Sequence, residues 1–247
     1  YIALEKLDQA RQALDESISR SGTPLQGCIE AGWVYYNAAR YDLAGEMFAR
    51  ALEIEPGSLG ALNGLGWSSI DQEEFDRAFD SFNRAIAIDP GHADSLRGRG
   101  WAGYRLGNYA QVILDLEKFF AFSPDWSNEP EYSILGTAYW FAGDPGKAEE
   151  TFLKIIGLHQ NLAREYSSIG WNYLNLGDYN ASQRYFERSL AEDNNYAQSH
   201  LGLGSTAYDQ ERWEEALRWY ETYLSLETRP ADWVLERVEE LRTRLGR

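Results

Sequence analysis

Apolar, small and polar positions follow one another along this chain at helical spacing, and the whole pattern returns at a fixed distance. Gly32-Trp33, Gly66-Trp67 and Gly100-Trp101 lie 34 residues apart, and Gly170-Trp171 repeats the pair further on. Units that start at Leu25, Leu59, Ala93, Glu129, Ala163 and Ala197 place glycine at the eighth position of all six copies. The twentieth position is small or nearly so: Ala44, Ala78, Val112, Ala148, Ser182 and Ala216. The twenty-fourth is large: Phe48, Phe82, Leu116, Phe152, Phe186 and Tyr220. A period of this length predicts stacked helical hairpins, two antiparallel helices to a unit, with no strand.

The physical roles follow from side-chain size. Glycine at the eighth place removes a Cβ where helices approach closely, at a cost to helix propensity of about 1 kcal/mol. The small twentieth residue lets the second helix sit near the first, and the large twenty-fourth fills the space beside it. Turn residues break the hairpins at Leu106-Gly107-Asn108-Tyr109, Ala142-Gly143-Asp144-Pro145 and Leu176-Gly177-Asp178-Tyr179. Pro145 suits the first turn of a second helix, where no amide donor is needed. Pro56, Pro90 and Pro124 close three units at the thirty-second place. The join from Phe122 to Pro130 is two residues longer than the others and holds two prolines, which predicts a kink or joint there.

This pattern resembles the tetratricopeptide repeat, at residues such as Leu62, Leu65-Gly66, Phe75, Ala78, Phe82, Ala85 and Pro90. Ser69 and Gly103 depart from it by replacing the usual aromatic at the eleventh place, and Phe119 by replacing a small residue at the twenty-seventh. The resemblance implies an all-α fold, a right-handed superhelical solenoid. Its expected parts are the second helix of a partial repeat at 1–24, six units (25–58, 59–92, 93–128, 129–162, 163–196 and 197–230) and a capping helix at 231–247. On that last helix Trp233, Val234, Val238, Leu241 and Leu245 form an apolar stripe. Glu236, Arg237, Glu239, Glu240 and Arg244 are expected to face solvent.

Composition narrows the partners. The net charge of −16 argues against sequence-independent binding of nucleic acid or of an anionic membrane. No apolar run is long enough for a membrane-spanning helix, so no insertion of this segment is expected. The single Cys28 excludes an internal disulfide framework. Tyr1 falls inside a repeat unit, so the chain reads as an excerpt of a longer protein and its localisation is not legible.

Candidate chemistry concentrates on one face. On each first helix, places 4, 7, 8 and 11 carry packing residues, while places 2, 5, 9, 12 and 13 cluster on another side. By the resemblance this second set lines a concave groove. It holds Trp33, Tyr36, Trp67, Trp101, Tyr104, Trp140, Phe141, Trp171 and Tyr208, more aromatics than the 14% chain average supplies. Its charged members are Asp71, Asp94, Asp209, Arg97, Arg105 and Arg164, which cancel. A tryptophan at the ninth place either wedges between helices or offers an edge to a ligand, and the two roles are compatible. Trp101, Tyr104 and Arg105, with Arg97 one turn before, form the expected centre of binding.

No catalytic or metal-binding constellation stands out. His92 and His159 lie in joins and His200 at a core place, none with a second ligand at metal spacing. Cys28 occupies a core place. Gly98-Arg99-Gly100 and Gly202-Leu203-Gly204 mimic fragments of phosphate loops but sit within first helices with no preceding strand. Neither a catalytic role nor a cofactor is therefore expected. The leading expectation is a non-catalytic scaffold that binds an extended peptide or protein segment in an aromatic-lined groove. The Lys/Asn/Arg set with which one class of the family grips C-terminal carboxylates is missing, since Ile29 and Trp33 take its first-unit places. The alternative is a polysaccharide-binding array of the kind found in bacterial exopolysaccharide export, and self-association through the ends is a third possibility.

Overall fold

Second helices stop two residues short of proline in three hairpins, as the steric clash of an X-Pro bond requires. The structure, a computed structural model, describes residues 24–125, 129–156, 158 and 161–246. The expected partial repeat, apart from Pro24, lies outside the described residues, as does His159. Thirteen helices and no strand are found among them. First helices are α1 (Pro24–Asn37), α3 (Leu59–Asp71), α5 (Ala93–Arg105), α7 (Glu129–Phe141), α9 (Leu162–Asn175) and α11 (Ala197–Asp209). They alternate with second helices α2 (Tyr41–Ile54), α4 (Phe75–Ile88), α6 (Tyr109–Phe122), α8 (Pro145–Leu153), α10 (Tyr179–Glu192) and α12 (Trp213–Leu226). The last is α13 (Asp232–Arg244). Five second helices run 14 residues and α8 only 9.

The chain divides into two compact units, Tyr1–Trp126 and Ser127–Arg247, and the boundary falls inside the long join. In the first unit α2 packs on α1 and α3, and α4 on α3 and α5, while α1, α3 and α5 touch in succession. In the second, α10 packs on α9 and α11, α12 on α11 and α13, and the first helices α7, α9 and α11 touch in order. Each unit is thus a stack of hairpins, the arrangement of an all-α solenoid.

What locks neighbouring hairpins is a ring held between two glycines. Phe82 is wholly buried. A Cβ built on Gly66 would lie 2.6 Å from its ring, and one on Gly98 2.2 Å away. Gly66 is the eighth residue of Phe82's own hairpin, whereas Gly98 is the sixth of the next. Phe48 sits in the same way between Gly32 and Gly64, and Phe186 between Gly170 and Gly202. The Gly-x-Gly pairs at 98–100 and 202–204 are therefore packing devices: one glycine serves the ring behind it, the other the large side chain ahead, Leu116 for Gly100 and Tyr220 for Gly204. Close-packed interiors admit no methyl group at such a point.

Within the hairpins the fifteenth residue adopts a left-handed backbone in every copy. Gly107, Gly143 and Gly177 do so at φ of 75°, 84° and 77°, and Ala39, Glu73 and Glu211 at 54°, 60° and 59°. Glycine accepts this conformation without a Cβ clash, and the other three are strained. Asp144, Asn161 and Asp178 then cap the following helices, each accepting a backbone N–H three residues on.

Two side chains of α13 depart from their expected places. Arg237, read as part of the solvent face of α13, is half-buried and donates to the Tyr220 hydroxyl at 3.4 Å. Trp233, expected in the apolar stripe, remains 42% exposed at its edge. Val234, Val238 and Leu241 carry the packing instead. The cause is Tyr220, which occupies the phenylalanine place and brings a hydroxyl into a buried site that needs polar partners.

Candidate functional site

The ninth-place tryptophans are anchored before they offer anything to a ligand. Trp33 meets Phe48 edge to face at 5.1 Å, Trp67 meets Phe82 at 5.4 Å and Trp171 meets Phe186 at 5.4 Å. Each indole thus leans on the ring that locks its own hairpin, and each remains half-buried. In the third hairpin Leu116 replaces the phenylalanine, and Trp101 is half-buried as well. Packing and partial display coexist in one side chain.

In the N-terminal unit a polar network crosses from one first helix to the next. Asp94 of α5 accepts the Trp67 indole N–H at 3.0 Å and the Asn63 amide at 2.7 Å, both from α3. Arg97 pairs with the same carboxylate at 2.7 Å and lays its guanidinium 4.4 Å from the Trp67 ring centroid. Ser95 donates to Asn63 Oδ1 at 3.2 Å. Burial opposes the charge on Asp94, but the bonds from Arg97, Asn63 and Trp67 outweigh it and hold its carboxyl below the usual range. Sequence spacing placed Trp67, Asp94 and Arg97 on one face. It puts Asn63 there too, at the fifth place, but discloses neither its bonds nor Ser95, because the partners stand a full repeat away.

Tyr36 lies at the start of this face, 5.5 Å from Trp33 and 5.3 Å from Tyr41 between ring centroids. Burial, then its hydrogen bond to Asp71 and that residue's charge, push its hydroxyl far above the usual range, and Arg97 partly offsets this. Tyr104 is half-buried on α5, and Arg105 is exposed with its guanidinium 4.2 Å from the Phe75 ring centroid. The sequence thus brings Trp33, Tyr36, Trp67, Arg97, Trp101, Tyr104 and Arg105 onto the first helices of one unit.

The C-terminal unit places its candidates differently. Trp140 is half-buried and packs edge to face on Tyr173 at 5.9 Å, while Phe141 is 54% exposed. Tyr208 is occupied within its own unit: its hydroxyl donates to Glu240 at 3.1 Å and Arg237 stacks on its ring at 4.1 Å. Burial and that carboxylate raise its hydroxyl above the ordinary value. Its partners come from α13, which runs where a further first helix would lie. Among the described residues no group of three His, Cys, Asp or Glu is placed to hold a metal, and no helix is long and apolar enough to cross a membrane.

The tetratricopeptide repeat model matches residues 29–93, 71–113 and 168–232, more than half of the chain. No curated protein sequence matches. Among solved structures, a tetratricopeptide repeat protein from Parabacteroides merdae is 16% identical with a TM-score of 0.65, over 98% of this chain and 94% of that one. MamA is 23% identical at a TM-score of 0.56, covering 68% and 96%. YrrB, a protein described as having an unusual peptide-binding site, is 19% identical at 0.51, covering 74% and 93%. These likenesses are of fold alone, whereas the repeat itself is shared in sequence. The chain belongs to the tetratricopeptide repeat family, a family of protein-interaction scaffolds.

Proposed function

We propose that this protein is a non-catalytic scaffold whose N-terminal unit binds an extended peptide or protein segment along the face of α1, α3 and α5. The reading is carried by the network around Asp94. It fixes Trp67 and Arg97 on that face, so this part of the aromatic surface is set before a partner arrives. Pre-ordered aromatic and arginine side chains lose little entropy on binding and dominate interface energetics. YrrB, with its peptide-binding site, is consistent with such a use of the fold. In the C-terminal unit Trp140, Phe141 and Trp171 form the corresponding surface, and Tyr208 supports α13.

Titrating the protein against a random-peptide library and a glycan array tests the reading. Peptide binding that weakens on Tyr104→Ala supports it. Binding to neutral glycans with no peptide binding overturns it in favour of the polysaccharide alternative. Stacking of a sugar ring needs an open indole face, and at Trp67 that face is already taken by Arg97.

A further inference from the structure

The locked joints share a second device. Where Phe48, Phe82 and Phe186 sit between two glycines, the twenty-seventh residue and the third of the next hairpin are both small and buried. They are Ala51 with Ala61, Ala85 with Ser95, and Ser189 with Ser199. Ser199 also donates to Ser189, hydroxyl to hydroxyl at 2.6 Å. Between the fourth and fifth hairpins both devices lapse. The sixth place holds Ser168 where the others have glycine, and Ile155 and Glu165, both buried, take the two small places. A bulkier pair keeps two helices from closing on each other. Accordingly α2, α4 and α10 each pack broadly on the first helix that follows, whereas α8, only 9 residues long, packs on α7 and barely meets α9.

Long side chains of the fifth hairpin span this joint instead. Tyr173 meets Phe152 of α8 edge to face at 5.3 Å and Trp140 of α7 at 5.9 Å. It also stacks on Tyr185 at 5.5 Å, the two rings 6° from parallel. The Tyr185 hydroxyl donates to Glu149 at 3.2 Å, and the Asn172 amide to the Ser133 hydroxyl at 3.0 Å. We infer that the fourth hairpin opens and recloses on the fifth as a unit of its own, with the Tyr173–Tyr185 stack as its latch. Segments open locally where close packing is scarce, and side chains reaching across a joint supply less of it than two helices in contact. Trp140 stands on α7 and Trp171 on α9, so closure is what sets these two rings in a fixed relation. On the reading of the first-helix face as a peptide-binding surface, a bound segment that touches both rings holds the hairpin closed.

Hydrogen exchange read by mass spectrometry on the whole protein, without ligand, tests the opening. Amides of α7 and α8 are expected to be protected about tenfold less than those of α9 to α12. Asn172→Ala with Tyr185→Phe removes both hydrogen bonds across the joint and keeps the stacked rings. It should speed exchange in α7 and α8 by about a further tenfold while α11 and α12 stay as in the parent. Protection in α7 and α8 equal to that of α10 and α11 overturns the inference and leaves the peptide reading standing. Faster exchange spread evenly over the unit in the double variant does the same. Phe141→Ala, on the exposed end of α7, then identifies the labelled random-peptide pools that touch this hairpin. Those pools should raise protection in α7 and α8. Their binding without such a rise, or the lack of any pool sensitive to the variant, ends the coupling to recognition. If no pool binds at all, the peptide reading falls while the separate opening stands.

Discussion

The Trp67 indole donates its N–H to Asp94 across two hairpins, 3.0 Å from Nε1 to Oδ2. The bond joins residues 27 positions apart and makes the carboxylate the common acceptor of three side chains, since Asn63 and Arg97 also donate to it. A single residue thereby ties the packing of one repeat to the surface of the next.

Replacing Asp94 by alanine should destabilise the fold by about 1–2 kcal/mol, the partial exposure of the pair trimming the loss expected for fully buried partners. Because the folded-state pKa of Asp94 is lowered, its contribution is present above the ordinary carboxylate value near 4 and is lost as pH falls through the folded value. Urea melts from neutral pH down to about 3 should therefore show less acid sensitivity in Asp94→Asn than in the parent. Equal slopes would remove Asp94 from the acid response.

Gly98→Ala tests the locking ring. Its Cβ would fall 2.2 Å from Phe82, so the ring or the helix must shift, at about 1–3 kcal/mol. Phe82→Leu alone leaves a cavity and should also destabilise. Together the two should cost clearly less than their sum, because the smaller side chain makes room for the methyl group, as Leu116 fills the same place one hairpin on. Additive costs in a double-mutant cycle would mean that the glycine serves something other than the ring.

These two networks differ in how far the sequence discloses them. The eighth-place glycine and the large twenty-fourth residue recur in register, so their partnership is legible from spacing alone. The sixth-place glycine is present in three copies, Gly64, Gly98 and Gly202, and its partner belongs to the preceding hairpin, where no local pattern points. Asn63 is unread for a related reason: it is the one asparagine at its place, and a network that occurs once has no period. Arg237 was misplaced because helical phase assigns a face but not the pull of a buried hydroxyl on a long side chain. Solvent-facing and ligand-facing residues share one phase, so spacing places the aromatic face without saying which rings a neighbour already occupies.

Arg99 and Asp115 make a second prediction possible within the core. Their side chains are 12% and 2% exposed and pair through two bonds of 2.6 and 2.8 Å. The seventh place holds Leu65 and Leu135 in neighbouring copies, and the twenty-third holds Met47 in the first. Arg99→Leu alone strands a buried carboxylate and should cost about 3–5 kcal/mol. Arg99→Leu with Asp115→Met should recover most of that loss, since an apolar pair of similar volume needs no desolvation of charge. A double variant as unstable as the single would show that Gln111 and Asn83, which also bond to the pair, depend on it.

Strain at the hairpin turns can be relieved. Glu73→Gly and Glu211→Gly place glycine at left-handed positions where Gly107 and Gly177 already stand. Each should gain about 0.5–1 kcal/mol, the release of strain exceeding the added freedom of the unfolded chain. Gly107→Ala should lose a similar amount. Thermal melting of the three variants decides it, and destabilisation by both glycine substitutions would mean that the side chains of Glu73 and Glu211 contribute more than the strain removes.

The last prediction separates packing from recognition in the third hairpin. Tyr104 and Trp101 are both half-buried on α5, but they answer differently to truncation. In the second hairpin the ninth-place indole of Trp67 leans on the locking Phe82, whereas the third hairpin carries the smaller Leu116 at the phenylalanine's place. Trp101→Ala should cost about 3–5 kcal/mol of folding stability. Tyr104→Ala should leave the fold nearly intact and cost about 2 kcal/mol of peptide affinity, some thirtyfold in Kd. Arg105→Ala should weaken binding less, since its guanidinium already rests on Phe75 and must leave that ring to meet a ligand. If Tyr104→Ala binds the peptide pools as the parent does, while Trp101→Ala merely unfolds, the aromatic row on α5 is a packing device and the partner is held elsewhere.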